Sequence, residues 1–151
     1  MINPKVLKDY LAAIIKTEPF AYPYLDSSMT VNESLITSGS ILLTYDRSGY
    51  VYNLNNINIP SKVIAKPVFK VSIIYQSLVQ EDQSLIIYNS LVLLLNGKSI
   101  DISIVKPFRI IEDKLTQYKD KYGVFEHSIF FETEYSLAQL NKINVPNEGE
   151  I

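Results

Sequence analysis

The sequence predicts an α+β domain: a mostly antiparallel or mixed sheet, with an N-terminal helix and a central buried helix packed on one face, plus extended hairpins. One observation behind this is an apolar stripe of helical period near the N-terminus. Another is the block 67–135. It contains a segment in which apolar and polar residues alternate as in a strand, then a helical segment that begins with two acidic residues, then two strand-like segments. The 151 residues, 47% of them hydrophobic, suffice for one buried core. We expect one domain over residues 1–140 and a flexible tail over 141–151.

The N-terminal helix is predicted over residues 4–17. The side chain of Asn3 can cap free amides, and the fixed φ of Pro4 suits the first helical position. Pro19 and Pro23 then end the helix, and a loop follows. Apolar pairs that draw one stripe along this helix are Val6–Leu7, Tyr10–Leu11 and Ile14–Ile15.

The next segment predicts a β-hairpin. Residues 40–46 and 50–54 have strand character, and the Arg-Ser-Gly sequence at 47–49 has the composition of a turn, with a glycine available for positive φ. Residues 55–66 are rich in asparagine and are predicted as a loop that can contain a short edge strand.

The block 67–135 begins with a half-buried strand. Its apolar face is expected to carry Phe69, Val71, Ile73 and Tyr75. The helix that follows is opened by Glu81 and Asp82, where the helix dipole favours negative charge, and closed by Asn96-Gly97. Its wide apolar surface predicts burial on more than one side.

Three further strand segments are predicted after this helix. Residues 98–106 alternate isoleucine with polar residues and are ended by Pro107. Residues 109–118 and 125–135 are expected to pair around a reverse turn. In the last strand, Phe125, Ile129, Phe131 and Tyr135 are expected on one face, and Glu126, Ser128, Glu132 and Glu134 on a solvated face.

Charge and composition argue against several classes of function. A net charge of −2 gives no global basic field to attract nucleic acid. The lack of cysteine excludes disulfides, thiolate metal sites and cysteine nucleophiles, and it fits a reducing compartment. The N-terminus does not resemble a signal peptide, and the longest apolar run, at 91–95, is far shorter than the roughly 20 residues that span a bilayer. We expect a soluble protein without membrane contact.

The sequence offers little chemistry for catalysis. His127, the only histidine, is expected to be neutral and packed, and no serine has the context of a nucleophile elbow. His127 with Glu126 or Glu132 lacks the spacing of a metal site. The carboxylates at 112–113 and 132–134 could approach one another across paired strands as an acid/base couple. The alternative is that they lie on the solvent-exposed face of the sheet, paired with lysines. Single glycines make no phosphate-binding loop. We expect no enzyme, no cofactor, no catalytic site and no metal site.

Tyrosine is the one compositional oddity, with eleven residues and no tryptophan. Tyrosine is enriched at protein interfaces because it buries a large apolar area and keeps a hydrogen-bonding tip, although some of the eleven are expected in the core. A basic, aromatic turn near position 120 could touch nucleic acid or an acidic partner, or be a solvated loop tip. The candidate partner-interface residues are Tyr50, Tyr52, Lys119, Lys121 and Tyr122.

Taken in order, SGSILLTYDRSGY, FKVSIIYQSL, IIYNSLVLLLNG, KPFRIIEDKL and GVFEHSIFFETEY resemble the tail-terminator and minor-tail protein family of phages. The similarity covers residues 4–136. In that family a hydrophobic helix ends in Leu-x-Gly and a Gly-aromatic strand closes the domain. These features match Leu95-Asn96-Gly97 and the segment 123–134 here.

The resemblance implies a non-enzymatic virion protein that forms a homo-oligomeric ring, expected to be a hexamer, on the head-proximal end of the tail tube. Its implied partners are tail tube, sheath and neck or connector proteins, with DNA passing through the lumen without specific binding. Its implied place is the tail or neck of the virion, after assembly in the host cytoplasm. Alternatives are another neck protein, the cap of a phage-derived contractile injection system, or a small hydrolase or ligand-binding domain.

Overall fold

A computed structural model of the protein describes residues 2–25, 39–52, 63–76, 80–100, 105–118 and 123–137. The helices and strands follow in the order α1 (Pro4–Thr17), β1 (Tyr24–Leu25), β2 (Ser40–Tyr52), β3 (Val63–Gln76), α2 (Glu81–Leu95), β4 (Arg109–Gln117), β5 (Val124–Glu132) and β6 (Tyr135–Ser136). This order confirms the strand, helix, strand, strand succession predicted for the second half of the chain.

Helix α1 has the predicted bounds and the predicted cap. The Asn3 side chain accepts a hydrogen bond from the Val6 N–H at 3.0 Å, and Pro4 occupies the first turn. One residue of each predicted apolar pair is fully buried: Leu7, Leu11 and Ile15. The helix therefore packs through one stripe, as its sequence period indicates.

The strands form one mixed sheet in the order β1-β2-β3-β5-β4, with β6 beside the first residues of β3. β1 pairs with β2 in parallel, and all other pairs are antiparallel. Side chains alternate between two faces. We call the face that carries Phe69, Val71 and Ile73 the helix face, and the face that carries Lys70 and Ser72 the polar face.

The predicted hairpin over 40–54 is wrong. Residues 47–49 lie inside β2, which pairs with β3 from Ser40 to Tyr52. The register shifts between Tyr45 and Arg47, so Asp46 is the extra residue of a β-bulge. Gly49 is not among the described glycines with positive φ. The bulge leaves only Asp46 without a partner in the β2–β3 ladder, so the chain keeps backbone hydrogen bonds that a turn here would lose.

Strand β3 begins earlier than predicted. Val63–Lys66 belong to it, which corrects the C-terminal end of the loop predicted over 55–66; the earlier residues of that loop lie outside the described ranges. Pro67 lies within the strand although it has no N–H to donate. Its carbonyl accepts the Thr133 N–H at 3.2 Å, at the place where β5 has ended and β6 has not begun. The missing donor therefore falls at a break in the neighbouring ladder.

Helix α2 begins and ends as predicted but is buried on one side only. Glu81 and Asp82 lie in its first turn, and Gly97 has a φ of 81° just beyond its end. Its buried residues are Ser84, Ile87, Leu91 and Leu95. The large aliphatic side chains on its outer side are exposed: Leu85, Ile86 and Leu93. The prediction of burial on more than one side is wrong, because the sheet meets only one face of the helix.

β4 and β5 form the predicted antiparallel pair. The last strand ends at Glu132 rather than Tyr135, because Tyr135 pairs with Ala65 as part of β6. The strand predicted over 98–106 is absent from its described residues apart from a bridge between Val105 and Tyr135, and residues 101–104 lie outside the described ranges. The Phe108 N–H bonds the Lys98 carbonyl at 2.9 Å, so this segment is held at its ends by its own backbone.

Both helices pack on the helix face, where the core lies. This confirms the predicted α+β fold. α1 covers β2, and α2 covers β3 and β5. The largest fully buried side chains are Leu7, Leu11, Ile15, Ile41, Leu43, Phe69, Ile73, Ile87, Leu91, Leu95, Phe108 and Phe131.

Candidate interaction surface

The sheet ends in two strands whose outer edges are largely unpaired in the described part of the chain. β4 pairs only with β5, and β2 pairs on its outer side with β1 only at Ile41 and Leu42. At the start of β4, the Asn96 side chain accepts the Ile110 N–H at 2.9 Å. Because β2, β3, β5 and β4 alternate in direction, β2 and β4 run in opposite directions. Unpaired edges offer N–H and C=O groups to another chain.

The structure places part of the predicted interface on one of these edges. Tyr50 lies on β2 and is 53% exposed. Tyr52 is the last residue of β2, and its side chain is outside what the structure describes. The described residues do not include Lys119, Lys121 or Tyr122. That these five residues form one interface stays a prediction.

Exposed apolar side chains mark both edges and the outer side of α2, and the sequence reasoning missed most of them. On the edges they are Tyr45, Tyr50 and Val51 of β2 and Ile111 and Leu115 of β4. On α2 the most exposed is Leu93, at 76%. A helix that is apolar on all sides needs a cover on its outer side, so the signal was present in the sequence but was assigned to the core.

A buried polar cluster occupies the centre of the polar face. The carboxylate of Glu126 accepts hydrogen bonds from the hydroxyls of Ser72 at 2.7 Å, Ser128 at 2.9 Å and Tyr118, and the Lys70 ammonium lies 3.4 Å away. Glu126 is only 8% exposed. The prediction of a solvated face at Glu126 and Ser128 is therefore wrong. The hydroxyls come from β3, from β5 and from Tyr118, the residue after β4, so the cluster ties β3 and β5 to the end of β4.

The cluster changes the proton affinity of its members. Burial by itself raises the pKa of the Glu126 carboxyl, but the three hydrogen bonds and the charge of Lys70 outweigh it, so the pKa is lowered. Burial, the hydrogen bond to Glu126 and the charge of that carboxylate raise the pKa of Tyr118 to about 12. Glu126 is thus held ionised and Tyr118 neutral, which is the arrangement of a structural anchor.

Ion pairs cover the rest of the polar face. Arg109 pairs with Glu132, Lys66 with Glu134 at 3.6 Å, and Arg47 with both Asp46 and Glu112, the latter at 3.5 Å. The carboxylates at 112–113 therefore do not meet those at 132–134 as an acid/base couple. Each described acid of this face has a basic partner, so the face carries no large field of one sign.

His127 is packed, as predicted, on the helix face. Its ring stacks on Tyr88 of α2 with centroids 4.4 Å apart, and its Nε2 lies 2.9 Å from the Asp113 carboxylate of β4. The imidazole is 7% exposed. This contact joins the edge strand to the helix through β5, and it is a packing arrangement.

Among the described residues, no three histidine, aspartate or glutamate side chains are grouped so as to hold a metal ion. Within the same ranges, neither helix is long and apolar enough to cross a membrane.

No protein-family model matches the chain, and no curated protein matches it. Sixteen chains of solved structures do match. One of them is a chain of the virion of a native gene transfer agent particle, with a TM-score of 0.49 and 13% sequence identity over 83% of this chain and 84% of that chain. At this score and identity, the likeness establishes neither a shared fold nor a shared function.

Proposed function

We propose that the chain is a non-enzymatic structural protein of a phage-like virion, which assembles head to tail into a ring at the head-proximal end of the tail tube. The observation that carries this proposal is that β2 and β4, whose outer edges are largely unpaired among the described residues, run in opposite directions. When neighbouring copies are related by rotation about an axis parallel to the strands, each strand keeps its direction along that axis. β4 of one copy then meets β2 of the next in antiparallel orientation, and such contacts close into a ring.

The sequence resemblance supports the same role and refines it. It implies a hexamer that docks tube, sheath and neck proteins in the tail or neck of the virion. Another neck protein, or the cap of a contractile injection system, would need the same kind of ring. The balanced charges of the polar face and the overall charge of −2 suit a ring through which DNA passes without being gripped.

Exposed apolar side chains on both edges also support assembly. Interface cores are enriched in aromatic and aliphatic residues, and Tyr45, Tyr50 and Val51 on β2 would face Ile111 and Leu115 on β4 of the next copy. The outer side of α2 carries a further exposed apolar side chain, Leu85. Tyr52 lies at the same β2 edge, and we propose it as a further contact.

The experiment is a mass measurement combined with imaging. The purified protein should elute as a closed oligomer in size-exclusion chromatography with light scattering, and negative-stain images should show it capping one end of tail tubes purified from the same virus. Free monomers at every concentration, with bare tube ends, would overturn the proposal. Rings that bind no tube would keep the assembly and reject the tail-end role.

A further inference from the structure

The outer side of α2 carries an apolar stripe that is open to solvent. Ile86 is 60% exposed and Leu93 is 76% exposed. With about 3.6 residues per turn, these two side chains project from nearly the same side of the helix, opposite the buried Leu91 and Leu95. Exposed apolar surface of this kind marks a contact site for another molecule, because leaving it in water is unfavourable.

The middle of this stripe is narrow, and its hydroxyl has a partner. Asn89 and Ser90 are exposed and lie between Ile86 and Leu93 along the helix. The Ser90 hydroxyl donates to the Ile86 carbonyl at 3.0 Å within its own helix. Covering Ser90 therefore strands no polar group, and its small side chain lets the axis of a second helix come close.

The two ends of the stripe carry opposite charges. Asp82 lies exposed in the first turn of α2, one turn before Ile86. Lys98 lies just beyond the end of the helix, a similar length of chain after Leu93. Neither belongs to an ion pair in the part of the chain that the structure describes. The order along the stripe is thus acid, apolar, apolar, base, and an antiparallel copy of the same stripe is complementary to it.

We infer that α2 of one copy packs antiparallel against α2 of a second copy through this stripe. A two-fold axis at the middle of the stripe places Ile86 of each copy against Leu93 of the other, and Asp82 of each copy near Lys98 of the other. Both copies contribute the same surface, so the contact closes with two copies. The helix dipoles then point in opposite directions, which is favourable. The contact uses neither edge of the sheet and does not rest on the proposed ring.

The test is disulfide cross-linking at the middle of the stripe. The chain has no cysteine, so Ser90→Cys can form a disulfide only between copies. The two-fold axis brings the two cysteines close together. Oxidation should give covalent dimers on a non-reducing denaturing gel about tenfold faster than Lys5→Cys on α1, which measures random collisions. Because the gel is denaturing, the result is the same whether or not the copies also form rings.

A charge placed in the apolar stripe should prevent the contact. Leu93→Glu, added to Ser90→Cys, should slow cross-linking about tenfold, because each glutamate would be buried against Ile86 of the other copy without a partner. Val6→Glu is the matched control, since it places the same acid at an exposed apolar position of α1. It should cross-link as fast as Ser90→Cys alone. Circular dichroism of each variant establishes that it is folded.

Reversal of the end charges tests the antiparallel alignment. In the Ser90→Cys chain, Asp82→Lys brings lysines together at both ends of the contact, and Lys98→Asp brings aspartates together. Each reversal alone should slow cross-linking about threefold, as expected for exposed charges. In a one-to-one mixture, each mixed dimer has an opposite pair at both ends, so cross-linking should recover.

The results decide as follows. Fast cross-linking of Ser90→Cys that is lost with Leu93→Glu and recovers in the charge mixture supports the α2 contact. Cross-linking no faster than that of Lys5→Cys overturns it. So does a rate that Leu93→Glu lowers no more than Val6→Glu does, or single reversals that cross-link as fast as their mixture. None of these results bears on the ring, which is tested by the mass of the oligomer and by imaging of tube ends.

Discussion

Gly39 leaves no room for a side chain, and substitution there tests the packing of β2 against the N-terminal segment. A Cβ at this position would lie 2.7 Å from two carbons of the Tyr22 ring, and the residue has a φ of +82°. The ring is buried, and its hydroxyl donates to the Gln80 carbonyl at 3.2 Å. Tyr22 therefore cannot turn aside without losing that contact.

The expected destabilisation follows from two separate costs. A positive φ costs an L-residue roughly 1–2 kcal/mol, and forced overlap in a packed site costs roughly 1–3 kcal/mol. Gly39→Ala should therefore lower the free energy of unfolding by about 2–5 kcal/mol. Gly97 has a φ of +81°, but a Cβ there would meet no atom within 4 Å. Gly97→Ala should therefore lower the free energy of unfolding by only about 1 kcal/mol.

Gly49→Ala completes the series, because it separates the observed strand from the predicted hairpin turn. Its Cβ would meet only the Lys66 Cβ, at 3.9 Å, and its φ is not positive. Alanine in a strand interior should be neutral or stabilise by up to about 1 kcal/mol. A turn glycine at the same place would instead make alanine costly.

The assay is urea unfolding followed by circular dichroism, at a protein concentration where the chain is monomeric. A Gly39→Ala variant no less stable than Gly97→Ala would refute the overlap with Tyr22. A loss of 1 kcal/mol or more in Gly49→Ala would refute the continuous β2 strand.

Two further predictions concern α2 and the polar cluster. Leu91→Ala, in the core, should cost about 2–4 kcal/mol, while Leu93→Ala on the outer side should stay within about 0.5 kcal/mol in the monomer; equal losses in urea unfolding would contradict the one-sided burial. Because the Glu126 pKa is lowered on folding, its ionised form stabilises the protein above its ordinary pKa of 4.5, and this is lost as pH falls through the folded value. Glu126→Gln should flatten that acid dependence in unfolding measured from about pH 6 to pH 3; an unchanged slope would contradict the cluster.

The two helices, which depend on local signals, were predicted with their correct bounds. Asn3 and Pro4 stabilise the first turn of α1. Glu81 and Asp82 lie in the first turn of α2, which they stabilise in the same local way. The pairing of β4 with β5 follows from their proximity along the chain. Such signals need no knowledge of distant residues, because each involves neighbours a few positions apart.

Predictions that depended on distant partners were wrong in a consistent way. The composition of the Arg-Ser-Gly sequence at 47–49 predicts a turn. In the structure the segment is part of a strand, because β3 pairs with it. The alternation of β5 predicts that the Glu126 carboxylate is solvated. In the structure it is buried, because the hydroxyls of Ser72 and Tyr118 donate hydrogen bonds to it from other parts of the chain. Alternation in β5 shows which residues share a face, but it does not show whether long side chains from neighbouring strands cover that face.

The candidate contact surface shows the same division. Tyr50 could be picked out from residue type alone, because tyrosine buries a large apolar area and keeps a hydrogen-bonding tip. The opposite directions of β2 and β4 arise only once four strands have paired in one order. Composition and local period thus establish an α+β protein. Long-range strand pairing determines which strands lie at the edges of the sheet, because it alone sets the order β1-β2-β3-β5-β4.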